Sequence, residues 1–507
     1  MPSQRKLSRR IAVIGGGISG LAAAHRLVEL DPDCEVSLLE RRGRVGGALW
    51  TIHEDGFQIE QGVDNFITTI PWGLNLCRRL GLEDDLVQTN PKYRQTFVVR
   101  GGRLYKLPDG FLMMAPTRMW PLVTTPILSP LGKLRCALEY FIPPSKETAD
   151  ESMAAFVRRR LGREAYERLV EPLLSAVYAA DLEKLSVDAT LSRFREMERE
   201  HGSLVRAMRK QMVAGRKGKG KAESGPRFSM FVTLRRGLSS LVDAIVERLG
   251  EGTVRSETVV ERICPAGNGW QVWTSPSDYL APGDSPGVVN ASSPSGSTPG
   301  ESPGAKYDGA KCELFDAVVL ATPSYVAGSL LEPLDAELGR RLATIEHSST
   351  AVLTFGFDES QIGHPLDGMG IVVPTAEKSP ILACSLSSRK YVHRAPEGKT
   401  LLRVFVGGSR YPEAAEMPEE ELCPRVFDEL ATLLGIEGQP IYSRVARWPR
   451  TMPQYHVGHK DLVAAIESGV EKLPGLELCG NAYHGVGIPD CIHGGEQAAE
   501  RVLDARS

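Results

Sequence analysis

Residues 10–21 read Arg-Ile-Ala-Val-Ile-Gly-Gly-Gly-Ile-Ser-Gly-Leu, and this stretch decides the fold. The apolar run Ile11–Ile14 predicts a short strand buried on both faces, and apolar residues at helical spacing after the glycines predict a helix. Gly15, Gly17 and Gly20 match the pattern G-x-G-x-x-G. These glycines allow a tight bend, a close approach of a diphosphate to the backbone, and close packing of the helix on the strand. Because free N–H groups at a helix start favour negative charge, the stretch predicts a dinucleotide site.

A second strand is predicted at Val36–Leu39, which completes a βαβ unit. Glu40 follows directly and lies twenty residues after Gly20, the spacing at which a carboxylate meets the ribose hydroxyls of a dinucleotide. A carboxylate would repel a 2′-phosphate, so NADP is the least favoured dinucleotide. Strand, turn, helix and carboxylate together favour a bound dinucleotide over a purely structural turn.

A second glycine turn, Arg44-Val45-Gly46-Gly47, comes shortly after Glu40. A plain nicotinamide enzyme does not need this turn, whose arginine can reach phosphate oxygens. The pattern R-x-G-G resembles the FAD signature of glutathione-reductase-like and amine-oxidase-like flavoproteins, where it surrounds an extended FAD. A further tight turn, Gly62-Val63-Asp64-Asn65, follows at the distance that this resemblance implies.

The C-terminal end of the chain carries a matching feature. Leu478–Asn481 reads as a strand that runs into a polar turn, and Gly485–Asp490 leads into a final helix that begins near Pro489. A helix N-terminus stabilises negative charge, and a reduced flavin develops negative charge at its N1–C2=O edge. FAD is therefore the predicted cofactor, with both ends of the chain folded around it.

Composition argues against several kinds of partner and site. The chain has 507 residues, with 60 Lys and Arg against 63 Asp and Glu, and this balance argues against a nucleic-acid partner. Nine scattered cysteines without a C-x-x-C pair predict reduced thiols in the cytoplasm rather than disulfides or a zinc site. His456 and His459 lack an evident third ligand, so no metal is predicted.

The chain divides by pattern into segments. Helical patterns run from 72 to 90 and from 150 to 213, and strands of an antiparallel sheet are predicted at Ala351–Phe357 and Leu401–Val406. Gly269–Trp273 and Ala317–Pro323 read as the arms of one antiparallel hairpin. Low-complexity composition predicts two flexible insertions, 216–226 and 275–310.

Several longer motifs resemble the oxygen-dependent porphyrinogen oxidases of haem synthesis, and in particular their bacterial coproporphyrinogen III oxidase branch. The resemblance covers nearly the whole chain apart from the two insertions. The matching motifs are Glu171–Asp181 (E-P-L-L-S-A-V-Y-A-A-D), Leu234–Leu241, Trp448–His459 (W-x-x-x-M-P-Q-Y-x-x-G-H) and Gly485–Ile492 (G-V-G-I-P-D-C-I).

The resemblance implies an α/β fold. A Rossmann-like FAD-binding domain of the amine-oxidase/glutathione-reductase type is interleaved with an antiparallel-sheet substrate domain and a helical domain. We assign FAD-binding segments to 1–90, 227–274, 311–330 and 446–507, a mainly helical segment facing substrate or membrane to 91–215, and the substrate sheet to 331–445.

The resemblance also implies the FAD contacts residue by residue. Val260 would pair with adenine through its backbone, and Trp448 would pack near the isoalloxazine. The full set is Gly15, Gly16, Gly17, Ile18, Ser19, Gly20, Glu40, Arg41, Arg44, Gly47, Gly62, Val63, Asp64, Asn65, Val260, Trp448, Gly480, Val486, Gly487 and Ile488.

The sequence departs from the family at three positions. Ala176 and Ala180 replace glycines of the Glu171–Asp181 motif, and the methyl of Ala176 is expected either to narrow the substrate pocket or to shift the pose of the substrate. Thr96 stands where membrane-bound protoporphyrinogen oxidases have an arginine that pairs with a propionate, which favours coproporphyrinogen. The candidate propionate partners, among which the sequence does not choose, are Lys92, Arg94, Arg100, Arg389 and Lys390.

The implied reaction is the FAD-dependent, six-electron oxidation of coproporphyrinogen III to coproporphyrin III by O₂, with H₂O₂ as product. Flanking pyrroles activate the meso C–H bonds, so no catalytic acid or base is assigned. The alternatives are a protoporphyrinogen IX oxidase, a flavin amine oxidase in which Tyr483 and Trp448 form part of an aromatic cage, and a non-catalytic carrier on the same scaffold.

The partners are then a small tetrapyrrole and O₂, with handover to later enzymes of haem synthesis. No apolar run reaches the length of a spanning helix. The uncharged stretch Met119–Gly132, which prolines interrupt, leaves open a packing surface, an apolar-substrate surface or a peripheral membrane contact for a cytoplasmic protein.

Overall fold

The structure, a computed structural model, describes residues 8–112, 114–116, 119–217, 230–277 and 311–504. At its centre is a parallel sheet that confirms the predicted βαβ unit. Ile11 and Val13 pack into the core on one face of this sheet, and Ala12 and Ile14 pack into the core on the other. The strand order is Val254–Arg255, Glu35–Leu39, Arg10–Ile14, Ala317–Leu320 and Leu476–Leu478.

Both faces of the parallel sheet are covered. One face carries the helices Ile18–Leu30, Trp72–Arg79, Ser239–Leu249 and Ile488–Asp504. The other face carries the helices Ser324–Leu331, Ala336–Ala343 and His459–Val470, together with an antiparallel sheet of Thr258–Ala266, Gly269–Pro276 and Lys311–Phe315.

The first and last helices pack against each other because small residues line their contact. A Cβ on Gly495 of the last helix would lie 2.1 Å from the Ser19 carbonyl oxygen of the first. Ala22 and Ala23 of the first helix and Ala498 and Ala499 of the last are fully buried. The two ends of the chain therefore form one core, and the predicted final helix is confirmed.

A seven-stranded, mostly antiparallel sheet lies beyond the parallel one and confirms both strands predicted for it. Helix Glu419–Leu434 packs on this sheet through a core that contains Phe355 and Val404. The strand order is Tyr442–Pro453, His347–Asp358, Lys399–Gly407, Ile381–Leu386, Gly370–Val372, Thr96–Arg100 and Arg103–Lys106.

A helical cluster covers the region from 119 to 217 and contacts the seven-stranded sheet through Val98 and Val372. Its helices are Met119–Thr124, Pro130–Ala137, Met153–Leu161, Arg163–Ala165, Glu171–Tyr178, Val187–His201 and Leu204–Lys217. The smaller sheets are Phe66–Ile67 with Phe231–Leu234 and Leu86–Gln88, Thr51–Glu54 with Phe57–Glu60, and Phe111–Leu112 with Ala115–Pro116; the short helices Ser387–Lys390 and Pro412–Glu416 lie elsewhere.

Two predictions about local structure are wrong. The partner of Gly269–Pro276 in its hairpin is Lys311–Phe315, whereas Ala317–Leu320 lies in the central parallel sheet. Helix does not continue through 72–90 either: it ends at Arg79, Gly81 takes a positive φ of 76°, and Leu86–Gln88 is a strand. Glycine favours this backbone conformation, which ends a helix.

The assignment of segments to domains stays a prediction. Most of the two predicted insertions, 218–226 and 278–310, lies outside the described residues. Within the described ranges, no helix combines the length and apolar character that a bilayer span requires.

Candidate functional site

The first glycine turn combines close packing with one open position. A Cβ on Gly15 would lie 2.6 Å from the Ala321 carbonyl oxygen, and a Cβ on Gly20 would lie 1.9 Å from that of Gly15. A Cβ on Gly17 would meet no atom within 4 Å. Gly15 and Gly20 are thus required for packing, whereas the space over Gly17 is free for a ligand.

This open position stands at the start of the first helix. Gly17 is the N-cap residue of helix Ile18–Leu30 and, as a glycine, has no side chain with which to cap it. The first N–H groups of a helix have no partner within the helix, so they remain available to an anion. Ile18 and Ser19 are buried here, and their predicted contact with the cofactor would therefore involve their backbone.

Glu40 follows the strand Glu35–Leu39 and points back to the glycine turn. Its carboxylate accepts the Gly16 N–H at 2.7 Å and the Arg42 N–H at 2.9 Å. Each carboxylate oxygen can accept a further hydrogen bond, so ribose hydroxyls can still be bound there. The neighbouring Arg41 is exposed.

The second glycine turn is joined to the first. The Gly46 N–H donates to the Gly16 carbonyl at 2.7 Å, and a Cβ on Gly47 would lie 3.2 Å from the Gly17 Cα. Arg44 donates to the Gly47 carbonyl at 3.0 Å and stacks on Trp50 at 4.2 Å. A cleft of about 600 Å³ separates this turn from helix Ser239–Leu249.

The third turn, Gly62–Asn65, lies against Trp448. The indole N–H of Trp448 donates to the Gln61 carbonyl at 2.9 Å. A Cβ on Gly62 would lie 3.1 Å from the indole ring and 2.3 Å from the Ala48 carbonyl oxygen. Only a glycine fits between the ring and this backbone, so Trp448 and the turn hold each other in place.

Asp64 belongs to a buried group of charges that sequence reasoning did not find. Its carboxylate lies 3.2 Å from the Lys390 ammonium group and 3.6 Å from the Arg403 guanidinium. Burial alone would raise the pKa of Asp64, but Lys390, Arg403 and Arg394 together lower it. Glu60 pairs with Arg394 at 2.6 Å in the same group.

Val260 lies on strand Thr258–Ala266, which passes close to Glu40. The Thr258 N–H donates to the Glu40 carbonyl at 2.9 Å, and the strand has an irregular register between Val260 and Arg262. Thr258, two residues before Val260, is thereby held next to Glu40. The pairing of Val260 with adenine stays a prediction.

The C-terminal turn packs around Asp490 at the start of helix Ile488–Asp504. Cβ atoms on Gly485 and Gly487 would lie within 2.8 Å of the Asp490 side chain. Burial raises the pKa of Asp490, although backbone N–H groups partly oppose this. Val486 contacts the helical cluster, and Gly480 takes a positive φ of 140°. This turn therefore joins the helical cluster to the central sheet.

Tyr455 is a second residue that sequence reasoning left without a role. Its hydroxyl donates to the Asn481 carbonyl at 2.6 Å and accepts the Gly485 N–H at 2.9 Å. The His459 ring stacks on Tyr455 at 3.9 Å, and its Nε2 lies 3.3 Å from the Tyr483 carbonyl. The motif Trp448–His459 did point to Tyr455 as a residue of interest. Its hydrogen-bond partners, Asn481 and Gly485, lie in a separate loop further along the chain, so the sequence did not reveal them.

His459 predicts a pH dependence of stability. Burial lowers the pKa of His459 from 6.5 to about 4, so between these pH values His459 is protonated in the unfolded chain but neutral in the folded one. The free energy of unfolding is therefore unaffected by His459 above pH 6.5 and decreases as the pH falls towards 4, by about 2 kcal/mol at pH 5. Urea unfolding at pH 7.5 and 5 should show a smaller loss for His459→Phe than for the wild type; equal losses would contradict this assignment.

The described residues contain no cluster of three or more His, Cys, Asp or Glu side chains arranged to hold a metal.

Three of the candidate propionate partners already have protein partners. Arg389 pairs with Glu359 at 2.9 Å, Lys390 pairs with Asp64, and Arg100 donates to the Pro126 carbonyl at 2.6 Å.

Comparison with known proteins gives a consistent result. The model of the flavin-containing amine oxidoreductase family matches residues 18–503. Coproporphyrinogen III oxidase of Bacillus subtilis is 33% identical over 98% of both chains, and chloroplastic protoporphyrinogen oxidase 1 of Arabidopsis thaliana is 30% identical over 97% of this chain and 87% of its own. The crystal structure of a candidate protoporphyrinogen oxidase from Exiguobacterium sp. 255-15 is 30% identical, with a TM-score of 0.81 over 98% of both chains.

The expected fold is confirmed by this similarity and by the central parallel sheet. FAD is the cofactor of this class of enzyme, and the two joined glycine turns are consistent with it. The chain is an oxidoreductase that belongs to the flavin-containing amine oxidoreductase family and, within it, to the porphyrinogen oxidases.

Proposed function

We propose that the chain oxidises coproporphyrinogen III to coproporphyrin III in haem synthesis, removing six electrons and reducing three O₂ to three H₂O₂. The observation that carries this proposal is the space over Gly17 between two joined glycine turns, in a chain similar from end to end to a coproporphyrinogen III oxidase. Such a space fits a dinucleotide diphosphate, which supports an FAD enzyme over a carrier without cofactor.

The residues that would hold FAD fit its separate parts. The diphosphate would lie over Gly17 at the start of the first helix, and the ribose hydroxyls would bind the Glu40 carboxylate. Arg44, in the second turn, would face the phosphate oxygens, and Val260 would pair with the adenine. The isoalloxazine would lie between the Gly62–Asn65 turn with Trp448 and the Val486–Ile488 turn.

Bound FAD would accept electron pairs from the meso carbons of the porphyrinogen. The chain would contribute orientation and the exclusion of water rather than a proton-transfer residue. Trp448 is 4% exposed and Tyr455 is 2% exposed. Their polar atoms are hydrogen-bonded to backbone carbonyls, so both side chains would keep their positions beside the cofactor.

The four propionates of coproporphyrinogen require cations or water at the pocket mouth. Arg389, Lys390 and Arg100 are engaged elsewhere, so Lys92 and Arg94, on the exposed loop before strand Thr96–Arg100, are the preferred partners. Thr96 itself offers no charge. We expect the substrate with four propionates to be favoured over the one with two.

Protoporphyrinogen IX is the second candidate substrate, since the chain is also 30% identical to a chloroplast protoporphyrinogen oxidase. The test is to compare kcat/KM for coproporphyrinogen III and protoporphyrinogen IX under air, with porphyrin fluorescence and H₂O₂ as readouts. The proposal expects a higher value for coproporphyrinogen III. A higher value for protoporphyrinogen IX, or turnover of amines alone, would overturn it.

We further propose that the protein works in the cytoplasm and touches a membrane surface through one apolar patch, from which the flat product passes to the next enzyme of haem synthesis. The nine cysteines are all free thiols, as a reducing compartment requires. The patch is defined here as the exposed apolar side chains between residues 120 and 141, namely Trp120, Val123, Leu131, Leu134, Leu138 and Phe141, of which Trp120, Leu131 and Phe141 are each at least 74% exposed. Aromatic and aliphatic side chains grouped in this way suit a lipid interface.

Replacing Trp120, Leu131 and Phe141 together by serine should weaken vesicle binding. The three side chains would lose most of their contact with lipid, and each large apolar side chain contributes about 1.5–3 kcal/mol when fully buried. Co-sedimentation with vesicles measures the effect. The control replaces Leu314 and Ile441, which are exposed elsewhere on the surface. Equal binding of wild type and triple variant would contradict the membrane contact.

A further inference from the structure

Arg403 is a buried cation that lacks a matching anion. It lies on strand Lys399–Gly407 with a side chain that is 1% exposed. Its Nη2 donates to the Gly62 carbonyl at 2.5 Å, whereas its Nε and Nη1 have no hydrogen-bond partner among the residues that the structure describes. The nearest carboxylate oxygen, on Asp64, is 3.6 Å from Nη1. A buried guanidinium ordinarily has all its donors paired.

The surrounding charges do not balance. Three cations, Lys390, Arg394 and Arg403, face two carboxylates, Glu60 and Asp64, in one buried group. Arg394 is well paired, since it donates to Glu60 at 2.6 Å and to the Thr233 hydroxyl at 2.9 Å. The excess positive charge therefore falls on Arg403, and burial accordingly lowers the pKa of that side chain.

Solvent cannot supply the missing partner. The crevice that Arg403 lines with Gln58, Glu60, Asp64 and Ser387 has no room for a water molecule. A buried cation without water, whose one nearby carboxylate is shared with Lys390, is costly, so a further negative charge beside Arg403 would be favourable. Arg403 donates a hydrogen bond to the backbone of Gly62, in the turn beside Trp448.

We propose that Arg403 is a positioning residue whose excess charge, placed behind the Gly62–Asn65 turn, favours the reduced and negatively charged form of the bound flavin. This rests on the proposed function, which sets the isoalloxazine against that turn. A positive charge in a region without water acts over several ångströms with little screening. Reduction of the bound flavin would then provide the negative charge that both the apoprotein and the oxidised holoenzyme lack at this turn.

Arg403→Met removes the charge but keeps an apolar stem of similar length. In the FAD-bound variant, the midpoint potential should fall by about 30 mV, which is a tenfold shift of a two-electron equilibrium. Arg403→Lys should restore most of the potential. Arg447→Met is the matched control, because Arg447 lies in the same sheet, on strand Tyr442–Pro453, and donates to the Ala415 and Met417 carbonyls instead.

The melting temperature of the apoprotein distinguishes an Arg403 that acts on the flavin through its charge from an Arg403 that only stabilises the fold. No carboxylate is hydrogen-bonded to Arg403, so the apo form of Arg403→Met should melt no lower than the apo wild type. A lower melting temperature, a failure to fold, or an unchanged flavin potential would each overturn the inference. If the wild type itself binds FAD but is not reduced by a porphyrinogen, the proposed substrate fails while the test of Arg403 still stands.

Discussion

A Gly17→Val protein is expected to fold normally and to purify without FAD. The backbone of Gly17, with φ −70° and ψ 175°, is open to any residue, and a Cβ there meets no protein atom within 4 Å. The added side chain instead fills the space where the diphosphate would approach the helix start. Excluding that contact should weaken binding by about 3 kcal/mol or more, at least a 100-fold loss of affinity.

Absorbance of the purified protein near the flavin band, together with FAD released on denaturation, measures this loss. Gly494→Val is the control, because a Cβ on Gly494 also meets no atom within 4 Å and that glycine lies inside the last helix. Gly20→Val is a contrasting variant that should fail to fold, since its Cβ would collide with the Gly15 carbonyl. A Gly17→Val protein with a full complement of FAD would show that the diphosphate binds elsewhere.

Arg160→Met is expected to cause the largest loss of stability. Arg160 and Glu139 are both fully buried and form an ion pair, and Arg160 also donates to the carbonyls of Ile142 and Gly202 at 3.0 Å each. Glu139 accepts the Leu204 N–H at 2.8 Å as well. Removing the arginine leaves a buried carboxylate with no cation, which costs about 3–5 kcal/mol.

Chemical denaturation of the holoenzyme measures this loss as a fall in the free energy of unfolding. The control removes Arg163, whose pair with Glu167 at i, i+4 is 82% exposed on the arginine side and should contribute no more than about 0.5 kcal/mol. A double variant that also carries Glu139→Met should recover part of the loss, because both buried charges are then gone. Equal effects of Arg160→Met and Arg163→Met would contradict the assigned role.

The elements that follow from local sequence were predictable. Strand Arg10–Ile14, the glycine turn and Glu40 stand close together in the chain, and their spacing alone fixes their geometry. The final helix was equally clear because Pro489 is suited to a first turn. The strand that pairs with Gly269–Pro276 in its hairpin was not predictable, because strand pairing joins residues that are far apart in the sequence. The four buried residues of Ala317–Leu320 were nonetheless a signal for a parallel strand covered on both faces.

The buried charges around Arg403 could not be predicted in the same way. Glu60 and Asp64 lie more than 300 residues from Lys390, Arg394 and Arg403 in the sequence, and only the fold brings them together. One signal was available: Arg403 interrupts the apolar run Leu401–Val406 of a predicted strand. A charge inside such a strand needs a buried partner, but the sequence does not reveal which residue supplies it.

Anaerobic mixing of the oxidised holoenzyme with one equivalent of coproporphyrinogen III tests the proposed activity directly. The flavin absorbance should bleach within the turnover time, and admission of O₂ should restore the absorbance with formation of H₂O₂. A flavin that stays oxidised with coproporphyrinogen III, but bleaches with protoporphyrinogen IX or with an amine, would show that coproporphyrinogen III is not the substrate.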